Sequence, residues 1–194
     1  MVIAIDGPAG AGKSTVARAV ATELGYRYLD TGAMYRAVAL AALRAGVGCD
    51  DVDALVSLAG VAATMSHDPE LRSPQVDRSV SLVARHQPVR EALHRAQRAY
   101  LAEGDAVAEG RDVGAVVWPE AELKIWLDAA PGVRAHRRVR EQGDDAAAAA
   151  LAERDRRDSA QTVRAPDAIA IDSTELDSAA VIARIVELAK TAAA

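Results

Sequence analysis

Val2-Ile3-Ala4-Ile5-Asp6-Gly7-Pro8-Ala9-Gly10-Ala11-Gly12-Lys13-Ser14-Thr15 reads as a strand, a glycine loop and the opening of a helix. Val2 to Ile5 is a brief apolar, β-branched run closed by Asp6 and Gly7, which is how a parallel strand buried on both faces is written. Gly7, Pro8, Ala9, Gly10, Ala11, Gly12, Lys13 and Ser14 satisfy G-x-x-x-x-G-K-[ST], with Thr15 next in line. The glycines let several backbone N–H groups face an anion, and the helix start adds its positive end. Lys13 reaches the outer phosphates, and the Ser14 hydroxyl is the metal position, holding Mg2+ that arrives with ATP. Residues 7–15 are therefore expected to bind ATP. Many loops of this kind serve switches or motors that hydrolyse the nucleotide, so the fate of the bound ATP has to be read from the rest of the chain.

Beyond the loop, Val16, Ala17, Val20, Ala21 and Leu24 recur at helical steps up to Gly25, predicting a helix over Ser14–Leu24. A second strand is expected at Tyr26–Leu29, then a helix capped by Asp30 or Thr31 and running to about Ala45. Helices are expected at Val52–Leu58, Val76–Ala84 and Pro88–Leu101, the last with proline at its first position. Strands are expected next at Ala106–Ala108, Leu123–Leu127 and Ala168–Ile171. Helices are expected at Arg134–Gln142 and Ala146–Arg157, with a break at Gly143-Asp144-Asp145, and a closing helix carries Val181, Ile182, Ile185, Val186 and Leu188. Such alternation implies an α/β fold, a mainly parallel sheet covered on both faces, with ligands in the crevice at the carboxyl ends of the strands.

At 194 residues the chain fits one domain with an ample core, and 51% hydrophobic with 26% charged residues is globular composition. A net charge of −5 argues against a large nucleic-acid footprint. Cys49, the only cysteine, can form neither an internal disulfide nor a multi-cysteine metal site. No stretch is long and apolar enough for a signal or a bilayer span, so a cytoplasmic chain without membrane partners is expected. His67, His86, His94 and His136 lack metal-ligand spacing, and Trp118 and Trp126 are expected in the core.

Two further groups bear charge where strands end. Leu29-Asp30-Thr31-Gly32-Ala33-Met34-Tyr35-Arg36 puts a hydroxyl, a glycine and an arginine at a helix start, which suits a second anion. A capped helix with a solvated Arg36 fits the spacing equally well. Glu109-Gly110-Arg111-Asp112-Val113-Gly114 comes after a strand and should aim Arg111 and Asp112 into the same crevice. Arg134, Arg137, Arg138, Arg140, Arg154, Arg156 and Arg157 then accumulate, either as a solvated face or as a cover whose guanidinium groups offset the charge of a transferring phosphoryl group.

Taken together, Ile5 through Thr15, Leu29–Arg36, Pro88-Val89-Arg90, Glu109–Gly114, Leu123–Leu127, Arg154 through Ser159 and Asp172-Ser173-Thr174 resemble the bacterial cytidylate kinases nearly end to end. The resemblance implies a P-loop three-layer fold with a five-stranded parallel sheet, small acceptor-binding and lid elements, and transfer of the γ-phosphoryl group of ATP to CMP or dCMP. It implies one domain over 1–194, with a shortened acceptor-binding insert near 60–75, centred on Met65 to Leu71, and a short lid near 134–158. Ser81, Arg90 and Asp112 match the family's cytosine-reading positions. Thr31, Arg36, Arg111 and Arg154 match its acceptor phosphate and ribose contacts, and Asp158 its sugar contact. Lys13, Arg111, Arg137 and Arg154 take the catalytic positions. Cytosine offers an exocyclic amine that Asp112 can accept, whereas uracil presents a carbonyl there. Gln161 stands where the family commonly carries arginine, with Arg164 as the nearby substitute. A monomer binding ATP and CMP or dCMP is expected. A kinase for another small acceptor, such as UMP or shikimate, and a non-catalytic ATP-binding module are the alternatives.

Overall fold

The computed structural model describes residues 1–60, 68–143 and 146–193. The chain divides into two compact units, one made of Met1–Leu29 with Gly104–Ala194 and the other of Asp30–Glu103.

The first unit carries the strands β1 (Val2–Asp6), β2 (Arg27–Asp30), β3 (Ala106–Gly110), β4 (Leu123–Asp128) and β5 (Ile169–Asp172) in the order β2-β3-β1-β4-β5. β1 is parallel to both β3 and β4, and β4 to β5, with Ile5 opposite Glu109 and Ile125, and Asp6 opposite Gly110 and Trp126. Every residue of β1 is buried, as its unbroken apolar run predicts for the central strand. Helices α1 (Lys13–Leu24) and α8 (Ser178–Ala192) pack together over Ile3, Ile5, Val107, Ile125, Leu127 and Ile171, with Val16, Val20, Val181 and Ile185 filling the space between. α8 starts at Asp177, whose carboxylate accepts from Ala180 N at 2.8 Å. α6 (Pro131–Gln142) and α7 (Ala146–Asp158) pack against one another.

The second unit is helical: α2 (Thr31–Ala45), α3 (Val52–Ala59), α4 (Pro74–Ala84) and α5 (Gln87–Ala102). Asp30 accepts from Ala33 N, Asp51 from Ala54 N and Ser73 from Val76 N, which fixes the starts of α2, α3 and α4. Leu55, Val76, Val80, Val83, Val89 and Leu93 form its apolar interior with Val38 and Leu40.

The α/β reading with a five-stranded sheet therefore stands, and each expected strand and helix is present with its ends moved by a few residues. One local expectation fails. Trp118 and Trp126 are half-buried rather than in the core. In β4 the pleat sends Leu123, Ile125 and Leu127 into the interior and leaves Lys124, Trp126 and Asp128 on the other face. Val113–Val117, outside every expected element, winds as a π turn. Of the shortened segment expected at Met65 to Leu71, residues 65–67 lie outside the described residues, as does His67, while Pro69–Arg72 is a 3-10 turn capped by Asp68. Gly143 ends α6 in the left-handed conformation, and Asp144 and Asp145 of the expected break lie outside the described residues.

Candidate active site

The glycine loop leaves β1 by a turn that other residues cannot make. Gly7 has φ +154, and a Cβ there would stand 2.0 Å from the carbonyl oxygen of Leu127. Gly12, at φ +92, is the N-cap of α1 and opens that helix in the left-handed conformation. Between them Pro8, Ala9, Gly10 and Ala11 curve round, and Lys13 folds back so that its Nζ donates to the Pro8 carbonyl at 2.8 Å. Ser14 and Thr15 stand at the outer side of the first helical turn, half-buried and exposed respectively.

Burial pushes the Lys13 ammonium down to about 7, and the positive charges of Arg111 and Arg154 push the same way, while Glu109 and Asp6 oppose them. Burial raises the Asp6 carboxyl to about 6, against the two backbone N–H groups that it accepts. These shifts mark a desolvated cleft floor, crowded with positive charge, that suits a polyanion.

Cationic side chains from three elements surround the loop. Arg111, just past β3, donates from Nη1 to the Gly7 carbonyl at 3.1 Å and pairs through Nη2 with Asp158 at 3.3 Å. Arg154 on α7 reaches the same Asp158 oxygen through Nε at 3.3 Å, so Asp158, itself buried, gathers two guanidinium groups beside the loop. Arg137 on α6 donates to the Ala11 carbonyl at 3.4 Å, to Ser173 Oγ at 3.0 Å and to the Ser173 carbonyl at 2.7 Å. Asp112 is buried at the mouth of the π turn. A cleft of about 470 Å3 adjoins the loop, lined by Gly12, Thr15, Arg137, Ser173, Leu176 and Val181 among others. Lys13, Arg111, Arg137, Arg154, Asp112, Asp158 and the loop are thus in one unit.

The remaining expected residues share the second unit. Thr31 is buried at the first position of α2, and Arg36, one turn on, pairs with Asp77 of α4 at 2.7 Å and donates to the Leu71 carbonyl at 3.0 Å. Arg36 is therefore engaged, not a solvated arginine at the back of a capped helix. Ser81 is buried on α4, and the Arg90 guanidinium of α5 lies 5.9 Å from the centroid of the Tyr35 ring. Back in the first unit, Arg164 donates to the Ala168 carbonyl at 2.9 Å, and Gln161 sits in the short 3-10 turn just past α7.

Three participants escaped the sequence reading. Arg134, expected only as one of a run of arginines, is buried, and its guanidinium donates to Ala129 and Ala9 carbonyls at 3.1 and 2.9 Å and pairs with Asp155. Ser173 receives Arg137 and donates its own hydroxyl to the Asp128 carbonyl at 3.0 Å. Glu109, buried at the end of β3, accepts from the Tyr28 hydroxyl at 3.0 Å, and Arg18 covers that ring at 5.2 Å from its centroid. Glu109, a carboxylate closing an apolar strand, and Ser173, inside a motif that carries the resemblance, had a signal in the sequence, whereas nothing there set Arg134 apart from the arginines around it.

Known proteins resemble this chain over nearly its whole length. The family model described as cytidylate kinase matches residues 3–191. A cytidylate kinase of Exiguobacterium sibiricum is 44% identical over 98% of this chain and 97% of its own. A bifunctional pantoate ligase/cytidylate kinase of a Synechococcus strain is 45% identical over 96% of this chain, which spans only 40% of that relative's length. Among solved structures, a shikimate kinase from Acinetobacter baumannii superposes with a TM-score of 0.53 at 13% identity, covering 98% of this chain and 93% of its own, a likeness of fold alone.

Proposed function

The chain belongs to the cytidylate kinase family, and from that membership we propose that it transfers the γ-phosphoryl group of ATP to CMP or dCMP, releasing ADP and CDP or dCDP. The observation that carries the reading is the loop with Lys13 set beside Arg111, Arg154 and Asp158 in one unit. Cationic groups gathered around one anion-binding loop suit a reaction in which two polyanions must be brought together and the charge of the transferring group offset.

The phosphates of ATP lie along residues 7–15, and the nucleoside end occupies the cleft bounded by Arg137, Ser173 and Leu176, whose size fits a ligand of that class. Thr31, Arg36, Arg111 and Arg154 take the acceptor's phosphate and ribose, Asp158 its sugar, and Ser81, Arg90 and Asp112 its base. Transfer is direct and in line. No general base is required, because the attacking phosphate oxygen is already anionic near neutral pH. The Ser14 hydroxyl, a hard oxygen at the helix start, suits Mg2+, and among the described residues no cluster of three or more His, Cys, Asp or Glu offers an all-protein cage. Mg2+ held by Ser14 and the nucleotide would screen the β and γ phosphates. In this reading residues 1–194 act as one kinase domain, with the acceptor insert near 60–75 and the lid near 134–158. The same reading takes it as a cytoplasmic monomer without a membrane partner, and its net charge of −5 argues against a nucleic-acid partner.

The test is ADP formation from Mg·ATP with CMP, dCMP, UMP, AMP and GMP offered separately beside an acceptor-free blank. CMP and dCMP should stimulate strongly, and Lys13→Ala or Arg111→Ala should abolish that stimulation while leaving the fold intact. ATP binding with silence toward all five acceptors, or full turnover by folded Lys13→Ala, would overturn the reading.

A further inference from the structure

The geometry points to Asp6 as the positioning residue that sets the aim of Arg111 and Asp112, and through them the choice of acceptor base. Asp6 closes β1 with its side chain buried, only 3% exposed, and both carboxylate oxygens are used. Oδ1 accepts from Val113 N and Oδ2 from Gly114 N, each at 2.8 Å. Those two amides belong to the turn immediately after Arg111 and Asp112, more than a hundred residues away along the chain.

The turn itself is an uncommon conformation. Val113–Val117 winds as a single π turn in which the Asp112 carbonyl accepts from Ala115, Val116 and Val117 N at 3.2, 2.8 and 3.3 Å, and such turns are rare beside ordinary helix. Gly114 packs against β1 and β4, where an added Cβ would meet Lys124 Cγ at 3.1 Å and Ala4 Cβ at 3.3 Å, and the Arg111 carbonyl accepts from Val163 N at 3.0 Å. Asp6 ties the turn to the strand from which the glycine loop springs, so the loop and the base-reading segment share one post. A carboxylate is required there. Asparagine keeps the shape but has one acceptor oxygen, and its NH2 would face one of the two amides, donor against donor.

The inference rests on the reading of Asp112 as the acceptor of cytosine's exocyclic amine, and the experiment separates the two. Steady-state constants for CMP, UMP and ATP are measured for wild type, Asp6→Asn and Gly114→Ala. Gly114→Ala displaces the same turn from below while leaving the carboxylate in place, and it decides the matter should Asp6→Asn fail to fold. A preference of wild type for CMP over UMP is the condition set by the reading, and its absence overturns the reading and the inference with it. Given that preference, both variants should raise the KM for CMP about tenfold and narrow the CMP to UMP ratio of kcat/KM by a similar factor, the loss of roughly one charge-assisted hydrogen bond. In Gly114→Ala, which leaves the Asp6 charge beside Lys13 in place, the KM for ATP should stay within about twofold, since such a loss in uniform binding is confined to one substrate. Unchanged CMP discrimination in a folded variant, or KM values for ATP and CMP rising together in Gly114→Ala, would overturn the role given to Asp6.

Discussion

Lys13 is the residue on which protonation and folding are most tightly linked. Its ammonium is held at about 7 instead of 10.5, by burial first and then by Arg111. Between those values the unfolded chain holds the proton and the folded chain does not, so folding grows more favourable as pH rises from 7 to 10.5, and below 7 the whole cost of the buried charge is present. Replacement by Met keeps the apolar stem and removes the charge. Lys13→Met should therefore melt above wild type at pH ~6 to 7, with the difference closing as pH is raised toward ~10, even though the proposed function requires that variant to be inactive. Paired melts at stepped pH test this, because titrations common to both proteins cancel in the difference. A gap that stays constant with pH would show that Lys13 is not desolvated in the folded protein. The sequence announced Lys13 as a phosphate ligand through its place in the loop. It could not announce the shifted proton affinity, which comes from side chains such as Arg111 and Glu109 that are distant in sequence.

Among the elements, α6 and α7 show how unequal the arginines of one stretch can be. Arg134 lies in the first turn of α6, where burial leaves it bonded to the carbonyls of Ala129 and of Ala9 in the glycine loop and paired with Asp155 of α7. It thereby fastens two helices to the loop. Arg156, near the end of α7, is 70% exposed and pairs with Glu153 of its own helix. Arg134→Ala should cost about 2–4 kcal/mol, because it strands buried acceptors and a carboxylate, and should weaken ATP binding along with stability. Arg156→Ala should leave the denaturation midpoint and ATP affinity unchanged. Chemical denaturation and ATP titration of the two variants decide it, and equal effects would mean that the burial of Arg134 has no structural consequence. Helical periodicity located both helices, since it depends only on neighbours three and four residues apart. Whether an arginine on a helix faces water or a loop more than a hundred residues earlier is a tertiary fact. The π turn at Val113–Val117 escaped for the same reason, since its amides are held by Asp6 from the far end of the sequence.

At the scale of the molecule, an acidic chain of net charge −5 gathers Lys13, Arg111, Arg137 and Arg154 around one loop. The strand-loop-helix opening and the order of apolar runs made the α/β sheet legible, because burial of a central strand and a nucleotide loop each leave a local signature. The side-chain ties within each unit were not legible, because Asp158 receives Arg111 from one direction and Arg154 from another only once the chain is folded. This concentration of charge bears on stability. Cations crowded on a desolvated floor are a local cost that bound ATP relieves, and a ligand that binds only the folded chain stabilises it by mass action. At roughly a hundredfold excess over its Kd, ATP should add about 2.7 kcal/mol, which for a chain of this size raises a melting midpoint by roughly 5–10 °C. In calorimetry Lys13→Ala should lose most of that shift, since the outer phosphates lose their cation. Equal shifts in wild type and Lys13→Ala would mean that ATP is held elsewhere, and would detach the loop from nucleotide binding.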